Sequence, residues 1–173
     1  MLYLRCTQKL MKRLKGPDPV PEGDPGSTTQ LGDWYANVKP LTYRGKSVIM
    51  FTNERTLLTV FVTGKGSRKA LPEFLERTER LLHRLGIPPQ AIDAELKEMQ
   101  EIVLLPTASR RTLGNLTDIG HAIRHHVQVK YPSYEEIDWD REEMIFTERI
   151  YSSLYETPMN LVYPRDLVRK ILS

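Results

Sequence analysis

The chain has 173 residues, of which 40% are hydrophobic and 27% charged, and its formal net charge is +3. These values are ordinary for one globular domain. No apolar run approaches the roughly 20 residues of a membrane span, which argues against a membrane protein. A single cysteine forms no intrachain disulfide framework. The N-terminus lacks the apolar stretch of a signal peptide. We therefore expect a single cytoplasmic domain over residues 1–173 with no membrane partner.

The first segment predicts a strand, then a helix, then a loop. Leu2, Leu4 and Cys6 alternate with polar or aromatic residues, which is typical of a strand with one face in the core. The following segment, QKLMKRLK, has apolar residues at helical spacing. Residues 16–31 are rich in proline and glycine and predict a mobile loop.

Residues 33–63 predict a three-stranded antiparallel meander. Its first strand is DWYANVKPLTY, in which Pro40 indicates an edge position or a break. Glycine in YRGK suits a turn, and KSVIMFTN is apolar on both faces, as a central strand would be. NERT then turns the chain into LLTVFVTG.

The remaining residues are mainly helical. An apolar stripe from Leu71 to Leu85 predicts a helix that Gly86 ends, Pro88 or Pro89 opens the next helix, and EIVLLP is a further strand. We expect a C-terminal helical extension over 131–173, with a helix from about 140 to 155, an extended ETPMNLVYP and a last helix near Pro164. Together these elements predict an α+β domain. An N-terminal strand, the meander and one later strand form a largely antiparallel sheet packed by about four to six helices. No G-x-G-x-x-G motif follows a strand, so a dinucleotide-binding fold is excluded.

The segment SRRTLGNLTD, residues 109–118, has two interpretations. Asn115 is a good N-cap residue, and Asp118 three residues later resembles a capping box, so a helix starting at Asn115 explains part of the pattern. Arg110 and Arg111 stay unexplained by capping. Together with the free amides of a helix start they could instead bind phosphate or carboxylate, although the carboxylate of Asp118 opposes an anion there.

Charge is unevenly distributed along the chain. Residues 1–16 carry five cations and no acid, whereas residues 135–143 carry six acids and one arginine. The basic segment could bind nucleic acid, or it could face the acidic segment within the molecule or in a second subunit. We expect the acidic run to be a solvated face.

Other reactive residue types give little evidence of chemistry. Cys6 shares its strand face with Leu2 and Leu4, which predicts an inert buried thiol. His121 and His125 have the i, i+4 spacing of a metal pair, but no cluster supplies further ligands. No metal site and no cofactor are predicted.

Polar residues gather at the ends of the predicted strands. If the sheet brings these ends together, they form a basic, amide-rich cleft with an aromatic wall that suits single-stranded nucleic acid or a phosphorylated small molecule. The alternative is that Asn53 and Thr56 shape a hairpin while Trp34 fills the core. The candidate ligand-binding residues are Arg5, Thr7, Lys9, Trp34, Asn37, Asn53, Arg55, Thr56, Arg110, Arg111, Asn115 and Asp118.

Several of these segments together resemble an uncharacterised bacterial domain family of unknown function. Its members carry R-C-T-x-K-L, W-[HY]-A-N, N-[ED]-[RK]-T and L-G-S-x-N-D segments, and the resemblance extends from about residue 3 to residue 164. This chain departs from the last segment at Asn115 and Thr117, and it has Tyr35 where some members have His. The resemblance implies no activity, and the tyrosine argues against an enzyme that depends on that histidine.

Three functions are therefore open. The leading hypothesis is a module that binds an anionic partner, nucleic acid above all, through Arg5, Lys9, Arg110 and Arg111. The second is a phosphate-ester enzyme or nuclease with Lys9, Asn37, Asn53 and Asp118 around one pocket. The third is a structural or protein-interaction module that docks through the acidic segment. The oligomeric state is not predicted.

Overall fold

The structure is a computed structural model, and it describes residues 1–64, 68–149 and 162–173. Within these residues five strands form one sheet in the order β4-β3-β2-β1-β5. The strands are β1 (Leu2–Cys6), β2 (Trp34–Pro40), β3 (Ser47–Asn53), β4 (Thr59–Thr63) and β5 (Ile102–Pro106). The α+β class and the β2–β3–β4 antiparallel meander are confirmed.

The position of β1 makes the sheet mixed. It lies between β2 and β5 and runs parallel to both, with Cys6 opposite Ala36 on one side and Pro106 on the other. A largely antiparallel sheet is therefore an incomplete description, because two of the four strand pairings are parallel. Parallel strands need long connections, and along this chain the connections from β1 to β2 and from β1 to β5 both contain helices. Strand β2 is consequently an interior strand, and Pro40 ends it.

Helices cover both faces of the sheet. The α-helices of the described residues are α1 (Gln8–Leu14), α2 (Ala70–Arg84), α3 (Pro89–Met99), α4 (Arg110–Lys130), α5 (Trp139–Thr147) and α6 (Pro164–Leu172), with a 3-10 helix at Tyr134–Glu136. One face, which we call the α1 face, packs Trp34, Ala36 and Phe51 against α1, α2, α3 and α6. The other, the α4 face, packs Tyr35 and Met50 against α4 and α5. Alternation along each strand sends neighbouring residues to opposite cores. No helix in the described ranges combines the length and hydropathy that a bilayer crossing requires.

Helix α4 begins earlier than the sequence predicts. Ser109 is its N-cap, and the Ser109 hydroxyl accepts a hydrogen bond from the Thr112 amide at 3.2 Å. The predicted start at Asn115 is wrong, because Asn115 and Gly114 lie inside the helix. Leu113, one turn before the rest of the apolar stripe, packs against the α4-face core and extends the helix toward its N-terminus.

The segment between α1 and β2 is attached to the sheet at several points. Along the outer edge of β5, the Asp18 amide donates to the Leu104 carbonyl at 2.9 Å, and the Asp18 carboxylate accepts from the Leu104 amide at 3.0 Å. Further along, the Tyr3 hydroxyl donates to Asp24 at 3.0 Å, and the Tyr3 amide donates to Ser27 at 2.9 Å. These contacts position residues 16–31, whose mobility stays a prediction.

The acidic run is not uniformly solvated. Glu142 and Glu143 are both 0% exposed, so the expectation of a solvated face is wrong for these two residues. They lie on the side of α5 that faces the domain, where cations of α2 and α4 meet them: Lys130 at 2.6 Å from Glu142, and Arg77 at 2.8 Å from Glu143. The predicted helix from 140 to 155 is α5, which ends at Thr147. Residues 150–161, including most of the ETPMNLVYP segment, lie outside the described residues.

Candidate functional site

The predicted cationic residues lie on two sides of the sheet. Lys9 is exposed on α1, which packs on the α1 face through Leu10 and Leu14. Arg110 and Arg111 are exposed in the first turn of α4, which packs on the opposite face. The structure therefore does not bring them into one cleft. For the same reason, Lys9 and Asp118 do not border one enzymatic pocket.

Arg5 is engaged within the protein. Its Nε lies 2.6 Å from the Asp33 carboxylate, and the Ser27 hydroxyl donates to the same carboxylate at 2.6 Å. The Arg5 side chain is only 23% exposed. A cation that is already paired and half-buried has little capacity left for an external anion.

The NERT segment forms the turn between β3 and β4, and Asn53 is its first residue. Asn53 is 0% exposed; its amide nitrogen donates to the carbonyls of Leu31 and Asp33, and its oxygen accepts from the amides of Arg55 and Thr56. The Thr56 hydroxyl adds a third hydrogen bond to that oxygen, and the Arg55 guanidinium donates to the Gln30 carbonyl at 2.8 Å. The Asn53 side-chain oxygen thus shapes the turn between β3 and β4, and its amide nitrogen ties that turn to the segment before β2.

Trp34 is a core residue. Its side chain is 0% exposed and meets the Phe74 ring edge-on, with 5.1 Å between the ring centroids. The aromatic wall that a cleft would need is therefore absent at this position.

Thr7, which follows the carboxyl end of β1, meets Asn37 in the middle of β2. The Thr7 hydroxyl is 3.1 Å from the Asn37 side-chain oxygen, and both residues are half-buried. Thr7 is also the N-cap residue of α1, and its side chain makes no capping hydrogen bond there. The pair joins two parallel strands at the edge from which α1 departs.

A carboxylate already occupies the N-terminal end of α4. The Glu54 carboxylate accepts from the Thr112 hydroxyl at 3.1 Å, and the Ser109 amide donates to the Tyr35 hydroxyl at 3.2 Å. Burial raises the pKa of Tyr35, and the negative charge of Glu54 raises that pKa further. Because the Glu54 carboxylate already lies at the positive end of the helix dipole, it opposes the binding of an external anion at this turn. Asn115 and Asp118 follow within the helix, half-buried and exposed respectively.

Within the described residues, a groove lies between α1 and the β2–β3 hairpin. We call it the basic groove; its volume is about 340 Å³, and it is lined by Lys9, Arg13, Val38, Pro40, Leu41, Gly45, Lys46 and Ser47. Three lining residues are cations and none is an acid. Gly45 has φ of 71°, a left-handed conformation that glycine adopts without strain, and it sets the turn that presents Lys46.

The surroundings of the basic groove are also basic. Lys12 and Lys15 are exposed on or next to α1, and Arg44 is exposed in the hairpin. Helix α1 has no acid in its first turn. Within the described ranges Lys46 pairs with the Glu135 carboxylate, whose Oε1 lies 3.0 Å from the Lys46 Nζ. The cations of α1 and the hairpin give this end of the domain a positive contribution to the surface potential.

Sequence reasoning found one of these lining residues as a site candidate, Lys9. It recognised Arg13 only as part of a basic segment, and it missed Lys46 and the apolar residues Val38 and Leu41. The available signal was the i, i+4 spacing of Lys9 and Arg13 on a short amphipathic helix. Lys46 gave no signal, since its proximity to α1 depends on the packing of the hairpin.

Histidines and cysteine add no second site. His121 and His125 are exposed on α4, and among the described residues no group of three His, Cys, Asp or Glu side chains has the geometry to hold a metal. Cys6 is 1% exposed, and burial raises the pKa of its thiol to about 12. The predicted inert thiol is thereby supported.

The fold and the groove define a class: an α+β domain with a mixed sheet between two helical layers and a basic surface groove. One family model, described as a domain of unknown function (DUF6933), matches residues 3–167. The chain belongs to this family, which confirms that the resemblance seen in its motifs is to a domain of unknown function. Searches of curated proteins and of solved structures find no match.

Proposed function

We propose that this protein binds nucleic acid through the phosphate backbone, with the basic groove as the contact site. The observation that carries the proposal is the convergence of Lys9, Arg13 and Lys46 from two separate elements on one groove without an acidic lining residue. Lysine and arginine are the residues that neutralise backbone phosphates. The apolar floor, formed in part by Val38 and Leu41, suits the less polar sugar that accompanies each phosphate.

The extent of the basic surface favours a polymer over a single small anion. Lys12, Lys15 and Arg44 continue the positive surface beyond the groove. A run of phosphates contacts such a surface along its length, whereas one phosphorylated metabolite uses only part of it. No exposed aromatic residue lines the groove, so base stacking does not contribute and little sequence preference is expected.

Fluorescence anisotropy with labelled single-stranded RNA, single-stranded DNA and duplex DNA tests the proposal. If three cations each neutralise one phosphate of a single strand, the slope of log K against log salt is about −2, which weakens binding about twenty-fold between about 50 and about 200 mM salt. The double variant Lys9→Glu with Arg13→Glu should abolish binding at both salt concentrations. The variant should fold, because both side chains are exposed on α1, and circular dichroism checks this.

A matched control exists on the opposite face. The double variant Arg110→Glu with Arg111→Glu changes the net charge by the same amount but leaves the groove intact, so it should bind like the wild type. No binding at low salt, or equal loss in the two double variants, would refute the assignment. A thermal-shift series with mononucleotides covers the small-ligand alternative: stabilisation by mononucleotides without strand binding would replace nucleic acid by a phosphorylated small molecule.

A further inference from the structure

A carboxylate of the same chain contacts the basic groove. Glu135 Oε1 lies 3.0 Å from Lys46 Nζ, and this ion pair holds the pKa of Glu135 below its ordinary value. Lys46 also lies over the Tyr134 ring, 4.5 Å from its centroid. One groove cation is thus occupied by an anionic group that the protein itself supplies.

The segment that carries Glu135 is held against the hairpin that forms one wall of the groove. The single proton of the Tyr43 hydroxyl is shared between the carbonyls of Val127 and Tyr131, at 2.9 and 2.8 Å. The rings of Tyr43 and Tyr134 pack edge to face with 6.1 Å between centroids. These contacts come from the end of α4 and from the 3-10 helix, so the position of Glu135 beside Lys46 is set by packing as well as by charge.

We propose that Glu135 is an intramolecular competitor that an incoming phosphate must displace from Lys46. The inference rests on the proposed function of the basic groove and adds a regulatory contact to it. The contact is suited to displacement, since Lys46 is 43% and Glu135 70% exposed. Exposed ion pairs are weak and screened by salt. A strand of phosphates that also contacts Lys9 and Arg13 therefore outcompetes a single carboxylate.

The test compares Glu135→Gln with Glu136→Gln. Both substitutions remove one negative charge from adjacent positions of the 3-10 helix, but Glu136 accepts from Ser133 at 2.8 Å rather than pairing with Lys46. Glu135→Gln should tighten the binding of labelled single-stranded RNA about two- to five-fold relative to Glu136→Gln, the range expected for one exposed ion pair. In a Lys46→Ala background the two glutamine variants should bind equally.

The outcomes separate the two proposals. Binding by the wild type with equal affinities for Glu135→Gln and Glu136→Gln overturns the competitor role and leaves the groove assignment standing. A Glu135→Gln advantage that persists without Lys46 also overturns it, because the effect would then come from general electrostatics. Absence of binding in the wild type and in both glutamine variants overturns the function of the groove and the inference with it.

Discussion

Glu143→Ala removes a buried carboxylate that joins three parts of the fold. The Glu143 side chain is 0% exposed; it accepts hydrogen bonds from Arg77 at 2.8 Å, from Arg84 at 3.0 Å and from the backbone amide of Phe61 at 3.0 Å. Phe61 lies in β4, the edge strand, so this carboxylate also covers an edge amide that would otherwise be open. Burial raises the pKa of Glu143, and both guanidinium groups oppose that rise.

The loss in the free energy of unfolding depends on the groups that Glu143→Ala leaves without their partner. Arg77 is 9% exposed and, in the part of the chain that the structure describes, retains only Asp140, at 2.9 Å, as a carboxylate partner. Breaking a buried ion pair from one side costs about 3–5 kcal/mol. An edge amide left without an acceptor costs about 1–3 kcal/mol. Because Asp140 still compensates Arg77 in part, we expect a total loss of about 4 kcal/mol in the free energy of unfolding, or roughly 8–16 °C in Tm for a chain of this size.

Urea denaturation followed by circular dichroism measures this loss, with a thermal scan as a second readout. Glu148→Ala is the control: Glu148 lies at the end of the same helix, is 57% exposed and pairs with Arg165, so its removal should cost less than about 1 kcal/mol. If Glu143→Ala loses no more stability than Glu148→Ala, the interpretation of Glu143 as a buried anchor is refuted.

Two further predictions concern buried titratable groups. Glu95 is 1% exposed and accepts the amides of Gln30 and Leu31 at 2.7 and 3.2 Å; burial raises its pKa, which the two amides oppose. A folded-state pKa above the unfolded value stabilises the fold at low pH, and that contribution is lost as pH rises through the folded value. The stability advantage of the wild type over Glu95→Gln should therefore fall as pH rises above the ordinary glutamate value of 4.5. A difference that stays constant with pH would contradict the assignment. Burial raises the pKa of the Cys6 thiol to about 12, so Cys6 should resist a maleimide at about pH 8 in the folded protein and react in denaturant. Rapid labelling of the folded protein would contradict this, because it would show that the thiol is accessible.

Local patterns were sufficient for most of the secondary structure. Alternation of Leu2, Leu4 and Cys6 predicted β1, the apolar stripe ending at Gly86 predicted α2, and Pro164 marked the start of α6. The glycine in YRGK and the NERT segment predicted the two turns of the meander. Each of these signals depends on residues within a few positions of one another, where the period of hydrophobicity or a required backbone conformation leaves little choice.

Long-range packing settled the rest. Ser109 and Asn115 are both good N-cap residues, and Ser109 became the cap because Tyr35 and Glu54 meet that turn and Leu113 joins the core. The placement of β1 between two parallel neighbours depended on crossovers that no local pattern encodes. The sequence predicted that the whole acidic run is solvated, yet Glu143 and Glu142 point into the domain and pair with Arg77 and Lys130.

The candidate site shows the same division. Charge counting along the first 16 residues was enough to mark α1 as basic and Lys9 as a candidate for anion binding. The groove itself required Lys46, and the competing carboxylate required Glu135, from two distant segments of the chain. Electrostatic contacts depend on separation in space, and distances between remote segments are set by how sheet and helices bury their apolar faces together.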